Sequence, residues 1–453
     1  MNFRRTLVSG LALLTVALIA PQNVVIVNMP SGTVTTQTLM NVVTAGVLPT
    51  TAVTLYSALV GNGDLSSSGT AATEANYGSL LPSGTLNSLR FTMSYDTPGF
   101  DIGDAGDTLT ATVMKNGVAT ALSCRVTGVS GANSEEEQCD TVPVVVSPPV
   151  TVSEGDRFTL RIVTTGTPAP NGGLAWAVDF RPTAANLTAM PGMHSTIPAQ
   201  RWLPPGVSTD DTGLSESGAS DAAARVHVPI GGSITGILCR ASTPRAQSAR
   251  VEVIIGGVRA ANLDCVVGAA NGTAPVIARA THALATGNTV SIRYVGDGAP
   301  GALFATLLFE PSQTGRWWTG ASSGQAISFG SADVLMPLAA YQKIDCPRNH
   351  ACSWWPPPDI RIESMRVDIG TAPTGSQALR VFVARHIEDP PSTGSTIEST
   401  LSCPFAAGGA RTCTSVNAVD AGAFPGDYWQ LAIRPTNAPN ATTVKVSTVF
   451  SKN

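Results

Sequence analysis

The amino-acid sequence predicts an all-β fold, three tandem antiparallel β-sandwiches behind an N-terminal apolar segment. Three observations carry that expectation. Four short sequence anchors recur three times in the same order. The runs beside them alternate apolar and polar residues with a period of two. Turn residues separate the runs, in a chain of 453 residues that holds 44 Gly and 32 Pro.

The anchors can be followed along the chain. A strand-like run opens each unit: GTLNSLRFTM from Gly84, GSITGILCRA from Gly232 and IRIESMRVDI from Ile360. Next comes Leu122-Ser-Cys124, then Leu263-Asp-Cys265, then Leu401-Ser-Cys403, at intervals of about 140 residues. A turn follows at Gly155-Asp156, Gly287-Asn288 and Gly426-Asp427, where Gly tolerates positive φ and Asp or Asn bonds its own backbone. Each unit closes on an apolar strand ending at Phe180, Phe309 or Phe450. After each Gly turn the same three positions are apolar: Phe158, Leu160 and Ile162; Val290, Ile292 and Tyr294; Trp429, Leu431 and Ile433. That alternation marks strands with one buried face. Asn116-Gly117 and Gly256-Gly257 mark hairpins that lead into the Leu-x-Cys strands.

About eight short strands per unit predict jelly-roll-like sandwiches over 52–182, 200–311 and 316–453. Residues 181–200 and 311–315 read as connections. Residues 21–51, rich in Thr and Val, form an irregular lead and a candidate pairing strand for an open sheet edge. From residue 52 to 453 the strand pattern resembles the tumour-necrosis-factor-like jelly-roll domains of trimeric surface proteins and phage appendages. That resemblance implies display or trimer assembly rather than catalysis.

The N-terminus reads MNFRR and then an apolar run ending at Ala20. Basic residues before a short apolar stretch fit a secretory signal, and the run is short for a span of ~20 apolar residues. Proline at 21 suits cleavage poorly, so an uncleaved anchor over residues 1–20 and a buried arm of a larger assembly stand as alternatives. Membrane contact is expected only through residues 1–20.

Eight cysteines without a CxxC motif point to an oxidising compartment and away from zinc ribbons. The repeat assigns the pairs Cys124–Cys139, Cys239–Cys265, Cys346–Cys352 and Cys403–Cys413. Charged residues are 13% of the chain, net charge is −4 and no Lys/Arg run occurs, so no nucleic-acid partner is expected.

Chemistry-bearing constellations are sparse. His194, His227, His282, His350 and His386 lack metalloprotease spacing and read as surface or turn residues. Gly320-Ala-Ser322-Ser-Gly324 matches GxSxG, but no helix pattern follows it, as a nucleophile elbow requires. Asp101, Asp104 and Asp107, spaced by glycines, are a candidate calcium loop that lacks the ligand pattern of an EF-hand, and a solvated turn between two strands is the favoured competing reading. The loop from Cys346 to Cys352 carries Arg348, Asn349 and His350 and leads into Trp354, Trp355 and three prolines. Rigid exposed Trp, Arg and His suit a sugar or protein contact, and packing of the tryptophans over a sandwich is the competing reading. Arg201-Trp202 and Arg316-Trp317-Trp318 open units two and three, with Tyr56 as a counterpart, each aromatic plugging its own sandwich.

The expectation is a non-catalytic structural protein, secreted or at the cell surface, for display, adhesion or extracellular assembly. Its partners are other copies of itself, other surface or virion proteins, or glycans. The alternatives are a virion component (capsid decoration or tail appendage) and a carbohydrate-binding array.

Overall fold

The described residues are nearly all-β, with strands in six sheets grouped as three β-sandwiches. The computed structural model describes residues 36–43, 54–60, 74–95, 108–127, 137–140, 149–165, 172–194, 200–209, 221–245, 247–268, 270–296, 301–324, 326–336, 338, 340–341, 359–386, 396–421 and 428–452.

The second sandwich shows the plan. Its eight main strands in chain order are Thr188–His194, Gln200–Leu203, Gly232–Ala241, Ala249–Ile255, Val258–Val267, a split sixth strand (Val276–Ala278 and His282–Leu284), Thr289–Val295 and Leu303–Pro311, with two-residue strands added at Ser208–Thr209, parallel to the first, and Val226–His227, beside the seventh. One sheet holds the first, eighth, third and sixth strands in that spatial order. The other holds the second, seventh, fourth and fifth. Two antiparallel sheets in this order make a jelly roll.

The first and third sandwiches repeat the plan. The first runs from Gln37–Val43 through Thr54–Ala58, Gly84–Tyr95, Thr108–Lys115, Val118–Thr127, Glu137–Asp140 with Val150–Val152, and Asp156–Thr165 to Gly172–Pro182. The third runs from Arg316–Ser322 through Val334–Met336, Ile360–Ile369, Ala378–His386, Thr396–Ala406, Thr412–Ser415 with Val419–Asp420, and Tyr428–Thr436 to Val444–Lys452.

Register makes the equivalence exact to the residue. In each sandwich the third strand carries a β-bulge against the eighth, with Asn87, Thr235 or Glu363 as the extra residue. The bulge aligns Leu86, Ile234 and Ile362, and across from them Phe180, Phe309 and Phe450. A second irregularity interrupts each pairing of fourth and fifth strands.

First strands occur in stretches that read from sequence as a lead and as a connection. Gln37–Val43 pairs with Gly172–Pro182, and Thr188–His194 pairs with Leu303–Pro311. A first strand therefore precedes residue 52 in the first sandwich and residue 200 in the second. In the third it coincides with residue 316.

Each sandwich has its own core between its sheets. Phe91, Phe158, Trp176 and Phe180 centre the first; Ile237, Ile292, Tyr294 and Phe309 the second; Trp317, Met365, Trp429 and Phe450 the third. These are the alternating positions that the period-two pattern marks, removed from water on one face of each strand.

Two disulfides join the two sheets of a sandwich, Cys239–Cys265 with Cα atoms 6.0 Å apart and Cys403–Cys413 with 5.7 Å. Cys124 is also disulfide-bonded, and the side chain of Cys139 lies outside the described residues. The fifth-strand cysteine is fixed while its partner changes strand. In the third sandwich Cys413, on the sixth strand, faces Val367 on the third; Cys139 faces Phe91 in the same way in the first. In the second the order is reversed: Cys239 is on the third strand and faces Val276 on the sixth. Exchanging a cysteine with its cross-strand neighbour keeps the staple in place.

Among the described residues no helix is long and apolar enough to cross a membrane. Residues 1–20 lie outside them.

Candidate functional site: the contacts between sandwiches

The polar and aromatic side chains that stand out chemically converge where one sandwich meets the next. Each sandwich touches the other two.

Between the first and second, an apolar cluster forms on the outer faces of two sheets. Tyr56, Ala58, Tyr77 and Leu80 meet Met193, Leu238, Phe304 and Leu308. Thr306 Oγ1 donates to the Leu80 carbonyl at 2.6 Å. The Gln37 amide brackets the Ala189 peptide, donating to its carbonyl at 2.6 Å and accepting from its N–H at 2.9 Å. Glu154 pairs with Arg279.

Between the second and third, Trp318 and Val449 enter the core cluster of the second sandwich, and Trp318 meets Phe309 edge-to-face at 6.0 Å. Ser447 Oγ donates to the His227 carbonyl at 2.5 Å, and Ser322 Oγ to the Ala223 carbonyl at 2.8 Å. The His227 ring lies between the Gly287 carbonyl and the Asp368 carboxylate, each at 2.9 Å. Lys445 donates to the Ala222 carbonyl. Burial holds the Lys445 ammonium below its ordinary value, with Asp368 opposing the shift.

The two contacts are copies of each other. Register places Thr306 and Ser447 at one structural position, and Leu80 and His227 at another. The same hydroxyl-to-carbonyl bond therefore fastens the first sandwich to the second and the second to the third. The recurrent turn glycines occupy matching places: a Cβ on Gly155 would stand 2.6 Å from Pro275 of the next sandwich, and one on Gly287 3.5 Å from Arg366 of the next. Both have positive φ, at 85° and 92°.

An acid buttresses each of these contacts from a one-turn helix. Thr159 Oγ1 donates to Glu74 Oε1 at 3.1 Å, and at the equivalent position Ser291 Oγ donates to Asp221 Oδ1 at 2.5 Å. Arg157 crosses to Glu74 and to the Tyr77 carbonyl. Burial lowers the pKa of its guanidinium, the Glu74 charge opposing this and Arg240 adding to it. Neither helix shows in the sequence, because a single turn is too short to leave a 3.6-residue period.

The third contact closes the circle. Lys452 Nζ, in the last strand of the third sandwich, lies 2.9 Å from Asp179 Oδ2 of the first and 3.1 Å from Asp359 Oδ2. Thr38 Oγ1 donates to the other Asp179 oxygen at 2.8 Å. Ala175 of the first sandwich packs into the core cluster of the third.

Several sequence expectations change here. Trp318 does not plug its own sandwich. It sits on a first strand and fills the core of the preceding unit, while its neighbour Trp317 stays in its own. Trp202 lies on a second strand opposite Arg293, and Tyr56 lies opposite Arg161 at the matching place, so Tyr56 and Trp202 correspond and the Trp317-Trp318 pair does not. His194 is fully buried at the end of a strand and His227 is an interface residue; neither is a surface or turn residue. His282 binds the Ala261 carbonyl at 2.8 Å. Ser322 of the GxSxG match ends a strand, fully buried, with its hydroxyl committed to Ala223.

The loop residues Arg348, Asn349, His350, Trp354 and Trp355, the pair Cys346–Cys352, and Asp101, Asp104 and Asp107 lie outside the described residues. Among the described residues no cluster of His, Cys, Asp and Glu could hold a metal ion. An open depression of about 570 Å³ beside the strand from Val118 is lined mainly by apolar atoms of Val118, Ala119, Ala121, Pro149 and Val150. Lys115 at its rim is already bonded to the Thr151 carbonyl and Asp156.

No protein-family model matches this chain, and no curated protein matches it. Among solved structures, the chain is similar to the major capsid protein P2 of bacteriophage PM2, at 9% identity and a TM-score of 0.16, over 61% of this chain and 98% of that one. It is similar to a chain of Sulfolobus Turreted Icosahedral Virus at 11% identity and a TM-score of 0.15, over 82% and 80%. The infectious bursal disease virus VP2 subviral particle follows at 9% identity and 0.13, over 93% and 81%. Likeness at these scores is too slight to carry an argument about this chain.

Proposed function

We propose that this chain is a non-catalytic structural protein, a trimer of jelly rolls built into one polypeptide, that serves as a unit of an extracellular or virion assembly. The observation that carries this reading is the repeated interface. Thr306 with Leu80, and Ser447 with His227, make one bond at two successive contacts. Side chains able to do chemistry, Ser322, His227 and Lys445, hold sandwich to sandwich instead. Cross-sheet disulfides favour an oxidising setting, outside the reducing cytosol. The resemblance to tumour-necrosis-factor-like jelly rolls adds the expectation of trimeric packing, which here would be met within one chain.

The test is fractionation of the native source with quantitative mass spectrometry, followed by electron microscopy of the fraction that holds the chain. Enrichment in particles or in a cell-surface layer, at many copies, is expected, and the fraction separates the virion from the surface setting. Recovery as a free chain with turnover of a substrate overturns the reading.

A further inference from the structure

The three contacts differ in one respect that the repeat does not dictate. The first two join consecutive sandwiches, tied by short connections: Pro182 is followed by a strand at Thr188, and Pro311 by a strand at Arg316. The contact between the third and first sandwiches has no such tether. Its chemistry also departs from the other two. The structural position of Thr306 and Ser447 is held in the first sandwich by Ala177, which has no hydroxyl to donate. The positions of Phe304 and Lys445 are held by Ala175. In place of a neutral hydrogen bond stands an ion pair, Lys452 with Asp179, flanked by Asp359. Lys452 and Asp179 are 17% and 16% exposed, so the pair is shielded yet within reach of solvent ions.

We propose that this seam is an exchangeable joint: the faces of the third and first sandwiches that close the ring within one chain also pair between two chains. The partner is a second copy of this chain. A contact made inside one molecule can be made between two without new chemistry, and a head-to-tail exchange of this kind propagates into open chains or larger rings. Closure within one chain is favoured by effective concentration, because the two tethers hold the third sandwich near the first. Reversing one charge of this pair turns its attraction into repulsion, whether the two faces belong to one chain or to two, and leaves the Glu154–Arg279 and His227–Asp368 pairs of the other two contacts untouched. The inference rests on the structural reading above and names its joint.

The experiment is light scattering with size exclusion, joined to small-angle X-ray scattering, on the full chain, on Lys452→Glu and Asp179→Lys each alone, and on the two variants mixed. The wild-type chain is expected at the mass of one copy. Each single variant sets like charges against each other at its own seam and is expected at one copy. In the equimolar mixture opposite charges meet only between chains, and twice that mass is expected; the double variant Lys452→Glu with Asp179→Lys is expected at one copy. If either single variant does not fold, the wild-type chain refolded at high against low concentration is the second measurement, with a two-copy fraction that rises with concentration expected. A mixture of folded variants that stays at one copy, or a wild-type chain that refolds to one copy at every concentration, overturns the joint. A chain that never exchanges yet fractionates with particles refutes the joint and leaves the assembly reading standing.

Discussion

At the scale of single residues, the contacts between sandwiches are fastened by hydroxyl groups. Thr306 is fully buried, and its bond to the Leu80 carbonyl removes an orphaned acceptor. Thr306→Val should cost about 1–3 kcal/mol, the usual penalty for leaving a buried group unpaired. Ser447→Ala should cost a similar amount. Chemical denaturation of each variant measures this, and a change below about 0.5 kcal/mol in both would remove the hydroxyls from the interface argument. Asp156 supplies a pH-dependent counterpart. Burial pushes its carboxyl up, but Lys115 at 2.9 Å, the Ser153 N–H and the Asn116 amide together outweigh burial and lower its pKa below the ordinary 3.8. A carboxylate with a lowered pKa stabilises the fold fully above 3.8, and that stabilisation fades as pH falls through the lower folded value. Melting curves of the wild-type chain and Asp156→Asn should therefore differ at neutral pH and converge in acid. A gap that stays constant with pH would contradict the assignment. The residue scale is also where sequence reading was most uneven. The fifth-strand cysteines were legible because their spacing along the chain is preserved, and the partners of Cys265 and Cys403 because each is the neighbouring cysteine of its own unit. Trp318 was not, because a buried Trp looks the same in sequence whichever core it fills.

At the scale of elements, close approach of backbones decides which strands can meet. Gly320, in the first strand of the third sandwich, faces the second sandwich: a Cβ there would lie 2.9 Å from Val226 Cγ2 and 3.4 Å from Pro204 Cβ. Gly320→Leu should therefore destabilise by about 1–3 kcal/mol through overpacking. Gly330→Ala, which meets nothing within 4 Å, should stay within about 0.5 kcal/mol of wild type. Equal effects at both positions would show that loss of glycine, not the interface, is responsible. Strands with a clean period of two were readable, and so were the turns at Gly155 and Gly287. First strands were not. Thr188–His194 reads TAMPGMH and is buried throughout, so no alternation marks it, and Pro191 and Gly192 resemble a connection. Such a strand is recognisable only through its partner, Leu303–Pro311.

At the scale of the whole molecule, the repeat was legible and the arrangement of its copies was not. A sequence repeat says that three units share a fold; it is silent on whether they form a string or a closed set. What decides is the outer faces. In a string those faces would meet water, whereas here Phe304, Leu308, Trp318 and Val449 are buried against neighbouring sandwiches. The contact between the second and third sandwiches should then outlast the chain connection that joins them. Trp318 alone corresponds to about 3–5 kcal/mol if truncated to Ala in a packed core. Inserting a protease site at 312–315 and cutting it should leave two fragments that still elute together as one species and separate only in denaturant. Gly315 has positive φ and open space around it, so the insertion disturbs no packed side chain there. Adding Trp318→Ala to the cut protein should let the fragments part at a lower denaturant concentration, because the tether no longer compensates for the weakened contact and the seam with the first sandwich is left to hold them. Fragments that part on cleavage alone would mean that the connection, and not the interface, keeps the second and third sandwiches together.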